Sequence, residues 1–254
     1  MADNIVLFDD GTHKNVLLQD FSSGLAVQAN AHMIVHGKEG MILDPGGHKV
    51  YSKVLAESSS VLGGAQLTTL FLSHQDPDIV AATNGWLMTT DADAYCSALW
   101  ARFVPHFGLD RLVADRLKSI PDEGCWLPLD GVEVAVVPAH FLHSCGNFQI
   151  YDPISKILYT GDLGASVGCE YREVEDFDDH LQFMAGFHRR YMGSSKAMRA
   201  WADMAATLDI DIIAPQHGAL FSGKEMVGRF IDWARTVECG IDVLQDVYRL
   251  PARA

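Results

Sequence analysis

Short apolar runs bounded by turn residues predict strands at residues 4–8 and 15–19, followed by a hairpin in which 31–35 and 41–43 flank Gly37-Lys38-Glu39-Gly40. That hairpin ends in the tight turn Leu43-Asp44-Pro45-Gly46-Gly47. A helix at 50–56 is broken by Gly63-Gly64 before an apolar strand at 67–72. The pattern then predicts a helix at 79–88, a strand at 94–98 and a mostly helical stretch from 100 to 117. A second run of strands follows at 125–127, 132–137, 148–151 and 157–159, punctuated by Asp130-Gly131 and Gly161. Helices at 177–191 and 195–208, a buried strand at 210–214 and one long helix at 224–248 complete the chain. Strands, helices, more strands and more helices, in that order, imply an α/β fold of two sheets packed face to face with helices outside.

Four of the predicted strands run into histidine or aspartate at their C-terminal ends. The first leads into Ser73-His74-Gln75-Asp76-Pro77-Asp78. Residues two apart on an extended chain share a face, and a residue before proline is held extended, so His74 and Asp76 face one point while Gln75 turns away. Asp78 is carried round the turn toward a second point. The strand at 132–137 leads into His140-Phe141-Leu142-His143, that at 157–159 into Gly161-Asp162, and that at 210–214 into Gln216-His217-Gly218. His74, Asp76, Asp78, His143, Asp162 and His217 thus form a set of nitrogen and oxygen donors without thiolate, which suits iron, manganese or zinc. Asp162 can bridge two ions through its two oxygens. His140 lies close enough to His143 to support the site or to complete it. His32, His36, His48, His180 and His188 fall in predicted elements or turns and read as structural. Met184, Tyr191 and Met192 read as packing, with an aromatic lid as the alternative.

Composition narrows the function classes. The chain has 254 residues, 48% hydrophobic and 20% charged, and a net charge of −14 that repels phosphate backbones and excludes nucleic acid as a partner. No apolar run approaches the ~20 residues that span a bilayer. The first ten residues lack a basic region followed by an apolar run, so no secretory signal is read and the cytoplasm is expected. Five scattered cysteines, Cys96, Cys125, Cys145, Cys169 and Cys239, read as reduced packing residues. No linker or repeat divides the sequence, and one domain over 1–254 is expected.

His74-x-Asp76-x-Asp78 followed by His143, Asp162 and His217 resembles the dinuclear site of the metallo-β-lactamase fold. A carboxylate at position 76 resembles the flavodiiron branch of that fold. Phe141-Leu142-His143-Ser144, Tyr151-Asp152-Pro153, Gly161-Asp162-Leu163-Gly164, Phe187 to Met192 and Ala214-Pro215-Gln216-His217-Gly218 resemble its flavin-free members, the oxygen-binding di-iron proteins. The resemblance covers Asn30 to the C-terminal helix and implies a four-layer αβ/βα sandwich. It implies one iron held by His74, Asp76, His143 and Asp162, and another held by Asp78, Asp162 and His217. The chain departs from the family pattern twice: Asp76 stands where glutamate is common, and Ile79 stands where a histidine usually serves the second metal. An isoleucine cannot ligate, so the resemblance implies a second ion with three protein ligands and either an open coordination position or a weak, partly occupied site.

Two ferrous ions sharing Asp162 can each give one electron to O2. The resemblance therefore implies a non-haem di-iron protein that binds O2, as a sensor or oxygen-binding protein, with at most slow reduction. No Gly-rich phosphate loop follows a strand, so no flavin is expected in this chain. Expected partners are O2, a signalling or electron-donor protein, and a second copy in a homodimer. The alternatives are a reductase of O2, NO or peroxide fed by a separate redox protein, a dinuclear zinc or manganese hydrolase, and a degenerate scaffold retained for interaction.

Overall fold

The computed structural model describes residues 3–24 and 27–253; Met1 and Ala2 of the N-terminal stretch lie outside this range. Seven strands, β1 (Ile5–Asp9), β2 (His13–Leu17), β3 (His32–His36), β4 (Glu39–Leu43), β5 (Gln66–Phe71), β6 (Asp93–Ser97) and β7 (Leu117–Ile120), form the first sheet in chain order. The second sheet has the order β13-β12-β11-β10-β9-β8, from β8 (Cys125–Leu129), β9 (Val132–Pro138), β10 (Phe148–Asp152), β11 (Ile157–Gly161), β12 (Ile212–Pro215) and β13 (Phe221–Ser222). Strands β1 to β4 are antiparallel and β4 to β7 parallel. In the second sheet only β11 and β12 are parallel. Parallel pairing sends consecutive strands out at the same edge, so the loops after β5, β11 and β12 can meet.

Three apolar layers hold the sandwich. Leu17, Ile34, Met41, Leu43 and Phe71 of the first sheet pack against Leu127, Val134, Phe148, Ile150 and Ala214 of the second. Outside the first sheet, α1 (Tyr51–Leu62) and the pair α2 (Pro77–Val80) and α3 (Thr83–Thr89) cover Met33, Ile42 and Leu70. Outside the second, α4 (Phe177–Tyr191), α5 (Ser195–Ala205) and α6 (Lys224–Thr236) cover Leu158 and Ile213. Strands such as β10 and β11 are buried along their whole length because both faces are covered, and the polar Gln149, Asp152 and Thr160 are buried with the apolar residues.

A polar pin crosses the seam between the sheets. His13 Nε2 lies 2.7 Å from Asp152 Oδ2, and Asn15 donates to the same oxygen at 2.8 Å and to the Tyr159 hydroxyl at 2.9 Å. Burial alone raises the Asp152 pKa, but His13, Ser155 and Asn15 outweigh it and hold the carboxyl ionised. The Tyr151-Asp152-Pro153 motif is thus a structural clamp.

The architecture matches the expectation, while several elements differ. The stretch 100–117 is not mostly helical: it is turns with two 3-10 segments, Val104–Phe107 and Ala114–Arg116, because Pro105 and Gly108 (φ 90) interrupt it, and β7 begins within it. The expected helix at 79–88 is two short helices, with Thr83 Oγ1 donating to Val80 O where the first stops. The long helix at 224–248 ends at Thr236. Gly240 (φ 59) turns the chain against Met192 and Gly193, leaving a short α7 (Ile241–Leu244) and a 3-10 turn at Gln245–Val247. Helix α1 runs on to Leu62, the strand expected at 15–19 is β2 at His13–Leu17, and that at 210–214 is β12 at Ile212–Pro215. Cys145 is exposed, unlike the packing residue expected, whereas Cys96 and Cys239 are buried.

Candidate metal centre

The first sheet delivers three groups from one loop. Asp76, extended at φ −65 and ψ 146, is the N-cap of α2 with Pro77 behind it, and its carboxylate comes back toward the strand end beside His74. Asp78 follows in the first turn of α2. The second sheet delivers His143 from the β9–β10 loop, Asp162 from the end of β11 and His217 from the end of β12.

These six side chains converge. His74 Nε2 lies 3.7 Å from Asp76 Oδ2 and 3.8 Å from Asp162 Oδ1. His143 Nε2 lies 3.5 Å from Asp76 Oδ2 and 3.1 Å from Asp162 Oδ2. On the other side, His217 Nε2 lies 3.4 Å from Asp162 Oδ1 and 3.6 Å from Asp78 Oδ2. His74, Asp76 and His143 can each offer one donor atom to a common point, all within 4.8 Å of one another. Asp162 stands between this trio and the His217–Asp78 pair. Its buried Oδ1 has no hydrogen-bond partner among the described residues. A buried, unpartnered carboxylate oxygen flanked by imidazoles fits a bound cation, which would compensate its charge.

Surrounding groups fix which ring nitrogen faces inward. Ser73 Oγ pairs with His74 Nδ1 at 2.9 Å, and the Gln28 carbonyl accepts from His217 Nδ1, so both Nε2 atoms are left for the cluster. Asp44 in turn accepts the Ser73 N–H at 2.8 Å, and burial pushes its pKa up to about 6. Asn30 donates to the Pro215 and Gly218 carbonyls at 2.9 and 3.0 Å, tying the loop before β3 to the His217 loop. Gln28, Asn30 and Ser73 carry no pattern that sequence reading could isolate. Ser73 alone adjoins a predicted ligand.

Without an ion, protons balance the site. Bonds to His143 and His74 hold the Asp76 carboxyl well below the usual carboxylate range. Burial opposes ionisation of Asp162, yet His143 and His217 keep it far below that range as well. Burial also opposes charge on the two histidines, but Asp162 and Asp76 raise His143 to about 10, and Asp162 raises His217 to about 9. A divalent cation would displace these protons.

Of the two residues singled out beside the ligands, neither is a donor to the cluster: one is bonded elsewhere and the other is apolar. His140 Nε2 is engaged by the Asp122 carbonyl at 2.9 Å and its ring packs on Phe148. Ile79 is fully buried in the apolar layer with Val54, Leu70 and Trp86. Of the helix α4 residues, Met184 is buried, as is Met192 just beyond it, whereas Tyr191 is 55% exposed. Tyr191 stacks on Phe187 at 4.5 Å and stands edge-on to His143 at 5.8 Å, so the aromatic pair walls the mouth of the site. His188 is structural: it accepts the Gly164 N–H at 2.9 Å and bonds the Met184 carbonyl at 2.8 Å, bracing the loop after Asp162.

Two facing mixed sheets with flanking helices, and a His/Asp cluster at their common edge, define the metallo-β-lactamase fold. Within it, the chain belongs to the family described as "ODP family beta lactamase", whose model matches residues 27–218. The solved structure "Peroxy diiron species of chemotaxis sensor ODP" is 37% identical with a TM-score of 0.85, covering 97% of this chain and 100% of that one. The apo state of the chemotaxis sensor ODP from T. denticola is 38% identical with a TM-score of 0.84, covering 97% of this chain and 99% of that chain. Rubredoxin oxygen:oxidoreductase from the anaerobe Desulfovibrio gigas shares the fold at 14% identity and a TM-score of 0.73, covering 91% of this chain and 61% of that chain. No curated protein matches the chain. Among the described residues, no helix is long and apolar enough to cross a membrane.

Proposed function

We propose that this chain is a non-haem di-iron protein that binds O2 as the sensing unit of a signalling system. The observation that carries this reading is Asp162, one carboxylate whose two oxygens face His143 on one side and His74 and His217 on the other. His74, Asp76, His143 and Asp162 would hold one iron, and Asp78, Asp162 and His217 the second. When bound, the ferrous pair supplies one electron per iron to O2. The protein's own residues do the rest. Ser73 and Gln28 hold the histidine tautomers, while Phe187 and Tyr191 limit water at the mouth. Ile79, buried in apolar packing, offers no donor, so Asp78, Asp162 and His217 would be the protein ligands of the second ion.

The 37% identity to a chemotaxis sensor in its peroxy di-iron state supports iron over zinc and sensing over turnover. The reading includes a signalling protein as partner, a single domain without its own flavin, and a cytoplasmic setting. Five free cysteines agree with that setting. Anaerobic purification, metal counting, and absorption spectra before and after air test it. Two irons per chain and a visible band on oxygenation are expected. Two zincs with no change in air would replace this reading with that of a hydrolase.

A further inference from the structure

Gln75 turns away from the metal cluster, but it does not point into solvent. Its Nε2 donates to Asp76 Oδ1 at 3.0 Å, on the carboxylate whose other oxygen faces His74 and His143. Its Oε1 accepts the Ser144 hydroxyl at 2.6 Å. Ser144 directly follows His143, so a single bond joins the loop carrying His74 and Asp76 to the loop carrying His143. The same hydroxyl oxygen accepts the Trp100 indole N–H at 3.1 Å and the Gly146 N–H at 3.3 Å. The indole reaches it only because residue 146 is glycine. A Cβ there would stand 2.6 Å from Ser97 Oγ and 2.9 Å from Trp100 Nε1. Trp100 opens the irregular 98–113 segment, on which Leu99, Phe103, Phe107 and Leu112 are all exposed.

We propose that Gln75 and Ser144 are positioning residues that set Asp76 against His143 for the first ion, and that Trp100 carries the loading state of that ion to the 98–113 segment. This rests on the metal-centre reading above. An ion held by His74, Asp76 and His143 fixes both loops at once, and the bond between Gln75 and Ser144 joins the same two loops just outside the approach of His143 to Asp76 and His74. Ordering Ser144 orders its acceptor oxygen, and the indole N–H that depends on it follows. The bonds run from 2.6 to 3.3 Å and each is at least partly shielded from water, where hydrogen bonds are strengthened. The backbone at 98–113 is local turns with one 3-10 segment and no α-helix or strand, so its placement on the body of the protein rests on tertiary bonds of this kind.

The test uses the full chain with zinc as a diamagnetic probe and follows indole 1H–15N resonances. The Trp100 signal is assigned by its loss in Trp100→Phe. In wild type, zinc should shift this resonance and slow its exchange with solvent roughly tenfold. Gln75→Leu should weaken zinc binding roughly tenfold, as removal of a ligand's supporting partner does, and should abolish the zinc-induced shift at Trp100. Ser144→Ala should move the Trp100 resonance even without zinc, whereas Ser144→Thr, which keeps the hydroxyl, should restore it. A purely structural role would lower the melting temperature of these variants and leave the zinc response of Trp100 intact. Zinc uptake by wild type, with an undiminished Trp100 response in Gln75→Leu or zinc affinity within twofold of wild type in Ser144→Ala, overturns the proposal alone. Failure of wild type to take up zinc or iron overturns the metal-centre reading and this proposal together.

Discussion

Replacing Ile79 by histidine asks whether the second ion is left open by design of the core. Ile79 is completely buried in the apolar layer beneath α1. Removing its side chain from that layer forfeits about 1.5–3 kcal/mol of burial. Placing an imidazole there without a partner adds roughly 1–3 kcal/mol. The metal-free Ile79→His protein should therefore be about 4 kcal/mol less stable, which for a chain of this size is a fall of about 10 °C in Tm. Adding Fe2+ or Zn2+ should recover part of this, because the new imidazole gains a ligand role that isoleucine cannot have. Calorimetric melts with chelator and with metal, together with metal stoichiometry and the visible band formed in air, measure both effects. The variant should hold its second ion more tightly and react differently with O2. A metal-free melt within about 2 °C of wild type would refute the packing argument. Unchanged occupancy and an unchanged oxygen reaction would refute the open-position argument.

His188, buried and lowered to about 4 chiefly by desolvation, resists protonation in the folded state while its unfolded counterpart protonates near 6.5. The unfolded chain thus binds the extra proton, and stability should fall by roughly 3 kcal/mol as pH drops from about 6.5 to about 4. In His188→Gln this slope should be shallower in denaturant titrations of the metal-free protein, and an identical slope would assign the acid sensitivity elsewhere. At Gly218 (φ +83), an added Cβ would collide with Ser166 Oγ and its carbonyl. Gly218→Ala should displace the neighbouring His217 and lower the occupancy of the second ion more than the first, and metal counting that finds both ions retained would contradict this. Limited proteolysis should yield no pair of stable halves, because the apolar layer between the sheets draws on both; two such fragments would overturn the single-domain reading.

The fold and the six candidate ligands were legible because both depend on local signals. A buried strand is rich in apolar residues, its end must turn, and a ligand at that end must carry a nitrogen, oxygen or sulfur donor, so residues 66–78 and 157–164 announce themselves. Extended geometry before Pro77 predicted the direction of Asp76, and the backbone has it. Segments whose shape is decided by distant contacts depart from the pattern. Apolar residues between Trp100 and Leu117 suggested a helix, yet Pro105 and Gly108 break it and the segment instead ties back through Arg116 to the Thr90 carbonyl at 2.7 Å. The C-terminal helix stops at Thr236 with Val237 extended, and the chain then turns at Gly240 against Gly193, a contact distant in sequence that periodicity does not register. Strands β7 and β13 are too short for periodicity to reveal. Gln28 acts on His217 through a backbone carbonyl, which leaves no trace in residue identity.

The candidate ligands divide evenly, with His74, Asp76 and Asp78 on one sheet and His143, Asp162 and His217 on the other. A cation gripped from both sides is therefore a reversible cross-link between two halves of the chain, closing loops of many tens of residues much as a disulfide would. Its loss would not unravel either sheet, since each keeps its own ladder and its own helical cover. It would loosen the edge where the sheets meet. The rest of the seam would stay closed by the His13–Asp152 pin and the apolar layer. The empty and loaded proteins would then share one fold and differ chiefly in how far the two halves breathe at that edge, which gives a small inorganic centre a means of being felt across the whole molecule.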